Sequence, residues 1–250
     1  MSLNRSALIT LSLAWILAVS PAFAEKGTVL ITGANRGIGL ALAEQFVDAG
    51  YQVIGTARKP AKAAALKGLG AQVEQLDVAD PNSVAALASR LGNTPIDILV
   101  NNAGIVGHTT PNLASLDIEK LNLVFQVNTF GPLRVTQALM PMLASGQKKQ
   151  VINISSMMGS MKLNTWGGHI GYRGSKAALN SFNQTMAIDL GKQGYVFVVM
   201  HPGYVQTEMV NNTGDISAEV AVERLMQRIE ELDMSNSGTF WHSNGEVLPW

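Results

Sequence analysis

The chain contains no cysteine. That absence removes disulfide staples, thiolate nucleophiles and cysteine-bound metal centres together. An excess of either charge is also missing, since 18 lysines and arginines balance 18 aspartates and glutamates. With no net field, no basic run and no basic residues interleaved with aromatics, neither nucleic acid nor an anionic membrane surface is an expected partner. No histidine–carboxylate spacing suits a metal ion, and none is expected. Linkers, internal repeats and low-complexity tracts are lacking too, so nothing divides the chain. Its 250 residues suffice for one α/β domain with a sizeable buried core.

What is present begins with a leader pattern. Arg5 supplies a short positive start, residues 7–19 form an almost unbroken apolar stretch, and Ser20-Pro21-Ala22-Phe23-Ala24 closes it with an A-x-A site. The pattern predicts a signal peptide over 1–24, cleavage after Ala24, and a mature domain over 25–250 exported to the periplasm. The apolar stretch falls short of the roughly 20 residues that a permanent span needs. No stable membrane insertion is therefore expected after processing, and an uncleaved N-terminal anchor is the alternative. Asn4-Arg5-Ser6 holds a single arginine, so the segment is not a twin-arginine signal.

From residue 28 onwards, β-like runs alternate with helical patterns. Residues 29–31, 52–55, 72–76, 96–100, 151–154 and 196–200 read as six strands, several continuous and β-branched as parallel strands covered on both faces are. Helical patterns over 39–49, 81–91, 116–143 and 175–190 lie between them. This alternation predicts a Rossmann-type, doubly wound parallel sheet in a single domain.

The first strand runs directly into Thr32-Gly33-Ala34-Asn35-Arg36-Gly37-Ile38-Gly39, which opens the first helix. Glycines there permit a tight turn and let a pyrophosphate approach the backbone N–H groups at a helix N-terminus. An acid about 20 residues further on normally binds the ribose 2′-hydroxyl of NAD. Here the second strand ends Gly55-Thr56-Ala57, and Arg58 and Lys59 follow. An acid would repel a 2′-phosphate, whereas arginine can bind one bidentately. NADP(H) is the predicted cofactor, with Arg58 on its phosphate and Arg36 closing over it from the opposite side.

Tyr172 and Lys176 stand four residues apart in a helical pattern, so they share one face. A neighbouring ammonium favours the phenolate and is expected to lower the phenol's pKa from about 10. A tyrosine so tuned can exchange a proton with a carbonyl or alcohol oxygen.

In this order, the motifs resemble those of the short-chain dehydrogenase/reductase family, in its compact single-domain branch. The glycine turn resembles that branch's T-G-x-x-x-G-x-G, and Asn101-Asn102-Ala103-Gly104 its N-N-A-G. Asn128, Ser156, Tyr172 and Lys176 fall where its catalytic tetrad falls, and Pro202-Gly203 with Val205 and Thr207 resembles its P-G motif. Asp77 and Val78 resemble its adenine contact. Gly33 to Gly37, His201 to Thr207 and the closing stretch to Trp250 are similar to the sniffer and C-factor type of carbonyl reductase.

The resemblance implies an NADP-dependent oxidoreductase that passes hydride between NADPH and a small carbonyl or alcohol substrate. Tyr172 would act as proton donor, Lys176 would tune it and hold the nicotinamide ribose, Ser156 would hold the substrate oxygen, and Asn128 would fix a relay water. A dinucleotide-binding signalling protein with little turnover is the alternative. The helices over 116–143 and 175–190 resemble those that pair in the family's homodimers. Specificity is expected in the insert over 157–171, rich in glycine and methionine, and in the short hydrophilic segment over 208–215. His108, His169 and Trp166 sit near these loops and read as surface or packing residues, Met157, Met158 and Met161 as apolar lining, and His201 as structural.

Overall fold

Residues alternate along the first strand, β1 (Thr28–Ile31): Val29 and Ile31 enter one apolar cluster and Leu30 the other. That two-faced burial repeats across the sheet and decides the architecture. The computed structural model describes residues 26–107 and 113–250. The expected leader over 1–24 and His108 lie outside the described residues. The elements that follow are α1 (Gly37–Asp48), β2 (Gln52–Ala57), α2 (Ala64–Gly68), β3 (Gln72–Gln75), α3 (Pro81–Leu91) and β4 (Ile98–Asn101). Next come α4 (Ile118–Phe125), α5 (Gly131–Ser145), β5 (Gln150–Ile154), α6 (Ile170–Gly191), β6 (Val196–His201), α7 (Ala218–Glu230) and β7 (Phe240–His242).

The strands form one parallel sheet of seven, in the order β3-β2-β1-β4-β5-β6-β7. On one face Leu42 and Phe46 of α1 pack with Leu225 and Ile229 of α7 over Val29, Ile31, Val198 and Met200. On the other, Leu87 of α3 and Leu139 and Leu143 of α5 cover Leu30, Leu99, Val151 and Phe197. Each such side chain, taken out of water, contributes about 1.5–3 kcal/mol. The order of strands reverses between β1 and β4, and a crevice opens there beyond their carboxyl ends.

The structure corrects the sequence reading in three places. A seventh strand, Phe240–His242, adds to the edge beside β6. Three residues are too few to show a period of two, and Gly238 and Gly245 frame them as a loop would. Helix α7, left unassigned above, carries a full apolar stripe at Ala221, Val222, Leu225, Met226 and Ile229. The single helical pattern over 116–143 is two helices joined by a π-helical turn, Gln126–Phe130. Pro132 lacks the amide that would bond the Asn128 carbonyl, and the ladder slips by one residue there.

His201 ends β6 with 6% of its surface exposed, its ring set edge-on to His242 at 4.8 Å. Burial, reinforced by His242, pushes His201 down to about 3, so it packs as a neutral ring.

Candidate active site

The crevice is closed at its base by a knot between β1 and β4. The Thr32 hydroxyl accepts from the Asn102 and Ala103 amides, both at 3.0 Å. In return, the Asn102 side chain donates to the carbonyls of Thr32 at 2.9 Å and Gly33 at 3.2 Å. Thr32 is thus fully engaged behind the crevice and does not line it, although its motif position suggested a cofactor contact.

Two glycines make the turn above this knot possible. Gly33 has φ +66°, a left-handed conformation, and a Cβ at Gly39 would lie 2.4 Å from the Gly33 carbonyl and 2.5 Å from the Asn102 amide nitrogen. Any side chain at Gly39 would lift α1 off the sheet. At the start of α1, Arg36 occupies the cap position and no side chain caps the helix, which leaves its first N–H groups open to an anion.

The walls follow from the ends of the strands. Gly33, Asn35, Arg36, Gly37, Ile38 and Gly39 form one side of a groove of about 420 Å³, with Arg58, Asp77 and Val78 at its far end. Asn102, Ala103, Gly104, Tyr172, Lys176, Pro202 and Thr207 complete it. The structure thus brings together most of the residues named from the motifs. Thr32, Asn128, Ser156, Gly203 and Val205 stand behind the lining: Val205 is buried beside Ile216, and Gly203, at φ +96°, turns the chain out of β6. Sequence reasoning missed Leu76, Ile105, Val127, Ser155 and Met209, apolar or small residues that neighbour the motifs without belonging to them. Gln206, Glu208 and Asn212, from the hydrophilic segment after the sixth strand, line the groove as well.

The arginines behave differently from each other. Arg58 is exposed and has no acidic partner among the described residues. Arg36 is paired with Glu208 at 2.5 Å, and the two side chains are 65% and 70% exposed. An ion pair so exposed is worth at most about 1 kcal/mol, so it does not lock Arg36 away from another anion.

Around the π turn, Asn128 is fully buried. Its amide nitrogen donates to the Ile105 carbonyl at 2.8 Å and to the Ser175 hydroxyl at 3.0 Å, while its oxygen accepts from the Ile105 amide at 2.9 Å. Asn128 therefore fixes the loop after β4 against α6.

Tyr172 and Lys176 do share a face of α6, with the ammonium nitrogen 5.8 Å from the centre of the phenol ring. The expected electrostatics are reversed. Burial pushes the Tyr172 phenol up, and a hydrogen bond from Ser156 only partly offsets it. Lys176 is 4% exposed, donates to the Ile154 carbonyl at 2.8 Å, and burial pushes it down to about 8. Desolvation is the leading cause for both groups, and each is driven towards its neutral form. The result is a protonated phenol facing the groove, next to a hydroxyl and an amine that can lose its proton.

This combination of fold and groove defines an oxidoreductase class. The family model for short chain dehydrogenases matches residues 27–232, and the chain belongs to that family. It is 39% identical over 165 residues to C-signal of Myxococcus xanthus, covering 66% of this chain and 99% of that protein. Among solved structures, the carbonyl reductase Sniffer of D. melanogaster superposes with a TM-score of 0.84 at 28% identity, over 89% of this chain and 99% of that one. The NADPH-bound carbonyl reductase from chicken fatty liver gives 0.82 at 30% identity, over 89% and 98%.

The buried lysine has a measurable consequence. Below pH 8 the native state carries its full burial cost. Between about 8 and the ordinary 10.5 the unfolded chain binds the extra proton, so stability from this group rises with pH. Lys176→Met is expected to raise unfolding stability at pH 7 by about 3 kcal/mol at most, a gain that fades by pH 10. Urea unfolding at the two pH values measures it, and a Met variant less stable than the parent at pH 7 contradicts the assignment.

Proposed function

We propose that the protein is an NADP-dependent carbonyl reductase that delivers a proton from Tyr172 to the oxygen of a small aldehyde, ketone or quinone. One observation carries the reading: a half-buried phenol that desolvation keeps protonated, beside Ser156 and one helical turn from a buried lysine, faces a groove floored by a glycine turn and an uncapped helix. The glycine cradle fits a pyrophosphate because a Cβ at Gly39 would close it. Arg58, which has no acidic partner among the described residues, fits a 2′-phosphate. The NADPH named for the chicken liver relative supports the same choice.

When bound, the nicotinamide supplies the hydride chemistry. The chain's own residues do the rest. Tyr172 is held protonated by burial, which suits a donor. Ser156, behind the lining, supports the Tyr172 oxygen from that side, and Lys176, with a pKa near 8, can return a proton to the phenol. Asn128 keeps the Ile105 loop and the start of α6 in register with that site. A dinucleotide-binding signalling protein with little turnover is the second reading, favoured by the name of the Myxococcus relative. Oxidation of NADPH with a panel of aldehydes, ketones and quinones separates the two.

Export and self-association complete the proposal. The leader pattern over 1–24 implies a mature chain beginning at Glu25, and Ile118, Leu123, Phe130 and Ile188 expose an apolar face along α4 to α6 that suits a homodimer. Mass spectrometry of periplasmic protein should find Glu25 first, and light scattering should give twice the chain mass. An intact Met1 in the cytosol rejects export, and a monomer mass at micromolar concentration rejects the dimer.

Tyr172→Phe removes only the phenolic proton. Turnover should fall by about 10²–10⁴-fold while NADPH affinity, measured by titration calorimetry, stays within error. Turnover above about a tenth of the parent's would sink the proton-donor role. Arg58→Glu should erase the preference for NADPH over NADH in kcat/KM, since it removes the phosphate contact and adds repulsion. Equal kcat/KM for both cofactors in the parent enzyme refutes the choice of NADP.

A further inference from the structure

On the other flank of α6 lies a second cavity, of about 520 Å³, whose lining shares no residue with the groove. Tyr172 and Lys176 face the groove; Arg173 and Ala177, one position on, face this cavity. Leu113, Leu116, Met161 and Ile170 make its walls largely apolar, and Leu113, Met161 and Ile170 are exposed at its edge. Arg173 is the one charged residue of the lining among the described residues.

That arginine is 7% exposed and has no acidic partner among the described residues. Its Nε donates to the Gly167 carbonyl at 3.0 Å, its Nη1 to the Met158 carbonyl at 3.3 Å, and its guanidinium lies 4.0 Å from the centre of the Trp166 ring. These contacts brace the insert before Tyr172. They leave Nη2 buried and without a partner. A brace alone does not account for that atom, because a buried guanidinium with an unmet donor and no counter-charge is costly. An anion in the cavity meets both needs, and a planar carboxylate matches the guanidinium fork.

We propose that this cavity binds a small amphipathic carboxylate, with Arg173 anchoring the anionic head and the apolar walls taking the hydrocarbon part. Its volume lies within the range of small-molecule sites. The site stands apart from the reductase reading, since it shares no lining residue with the groove and its binding is read without turnover.

Calorimetric titration of the full chain with octanoate and with octanamide tests it. Octanoate should bind saturably, with and without saturating NADPH, and octanamide about tenfold or more weakly. Arg173→Gln should reduce octanoate to the octanamide level. Should that variant lose its fold, Ala177→Leu decides, because it narrows the cavity one helical turn from Arg173 and leaves the arginine itself in place: octanoate binding should weaken by about tenfold or more while NADPH affinity is unchanged. Equal affinities for acid and amide, no octanoate binding, or an unaltered affinity in Ala177→Leu would each overturn the proposal. So would a dimer that dissociates on Ala177→Leu without any octanoate binding, which would assign the cavity to a second copy of the chain.

Discussion

The closure between β1 and β4 governs the rest of the molecule. The Thr32 hydroxyl accepts from two backbone amides of the neighbouring strand end, and the Asn102 side-chain amide donates to two carbonyls of the glycine turn. Two strands that diverge in a doubly wound sheet would otherwise leave backbone groups unpaired at the point of divergence, here the Ala103 amide and the carbonyls of Thr32 and Gly33. Satisfying them from within the chain lets the crevice remain open without a polar deficit at its floor. It also sets the height of α1, because the Asn102 amide and the Gly33 carbonyl occupy the space where a Gly39 side chain would stand.

Above that floor, burial rather than charge pairing sets the chemistry. Tyr172 and Lys176 are each driven towards the neutral form, the phenol upwards and the amine downwards. A phenol that keeps its proton is a donor, and an amine with a pKa near 8 can pass a proton on at physiological pH. The simple expectation from an i, i+4 phenol and ammonium treats both as solvated. It fails because the Ile154 carbonyl and the surrounding chain replace water around Lys176.

Much of this was legible in the sequence, for reasons that differ by feature. The glycine turn, the N-N-A-G stretch and the Tyr172–Lys176 pair are local, so spacing alone places them on a strand end or one helix face. A strand core such as 196–200 declares itself by unbroken apolar content. The position of β7 was not legible, because its three residues pair only through a long connection from β6. Nor was the π turn, which depends on Pro132 denying one hydrogen bond inside an otherwise continuous helical pattern. The Arg36–Glu208 pair joins residues 172 positions apart, a distance no local pattern reports.

The insert before Tyr172 shows how such distant contacts give a loop a definite shape. Gly167, Gly168 and His169 follow one another with φ of +66°, +70° and +48°. A non-glycine residue in that region is disfavoured by about 1–2 kcal/mol. The turn is held from the helix side by Arg173, whose backbone amide bonds His169 at 2.9 Å and whose side chain bonds Gly167. From the other side, the Ser160 hydroxyl and the Lys162 amide both donate to the Trp250 carbonyl at 3.2 Å, and Trp250 stacks on Phe240 of β7 with ring centres 5.5 Å apart. The insert, which lines the second cavity, is therefore tied to α6 at one edge and to the last strand and tail at the other. Its shape is a property of the whole fold, which is why the glycine- and methionine-rich sequence of the insert, taken by itself, does not disclose the cavity that it lines.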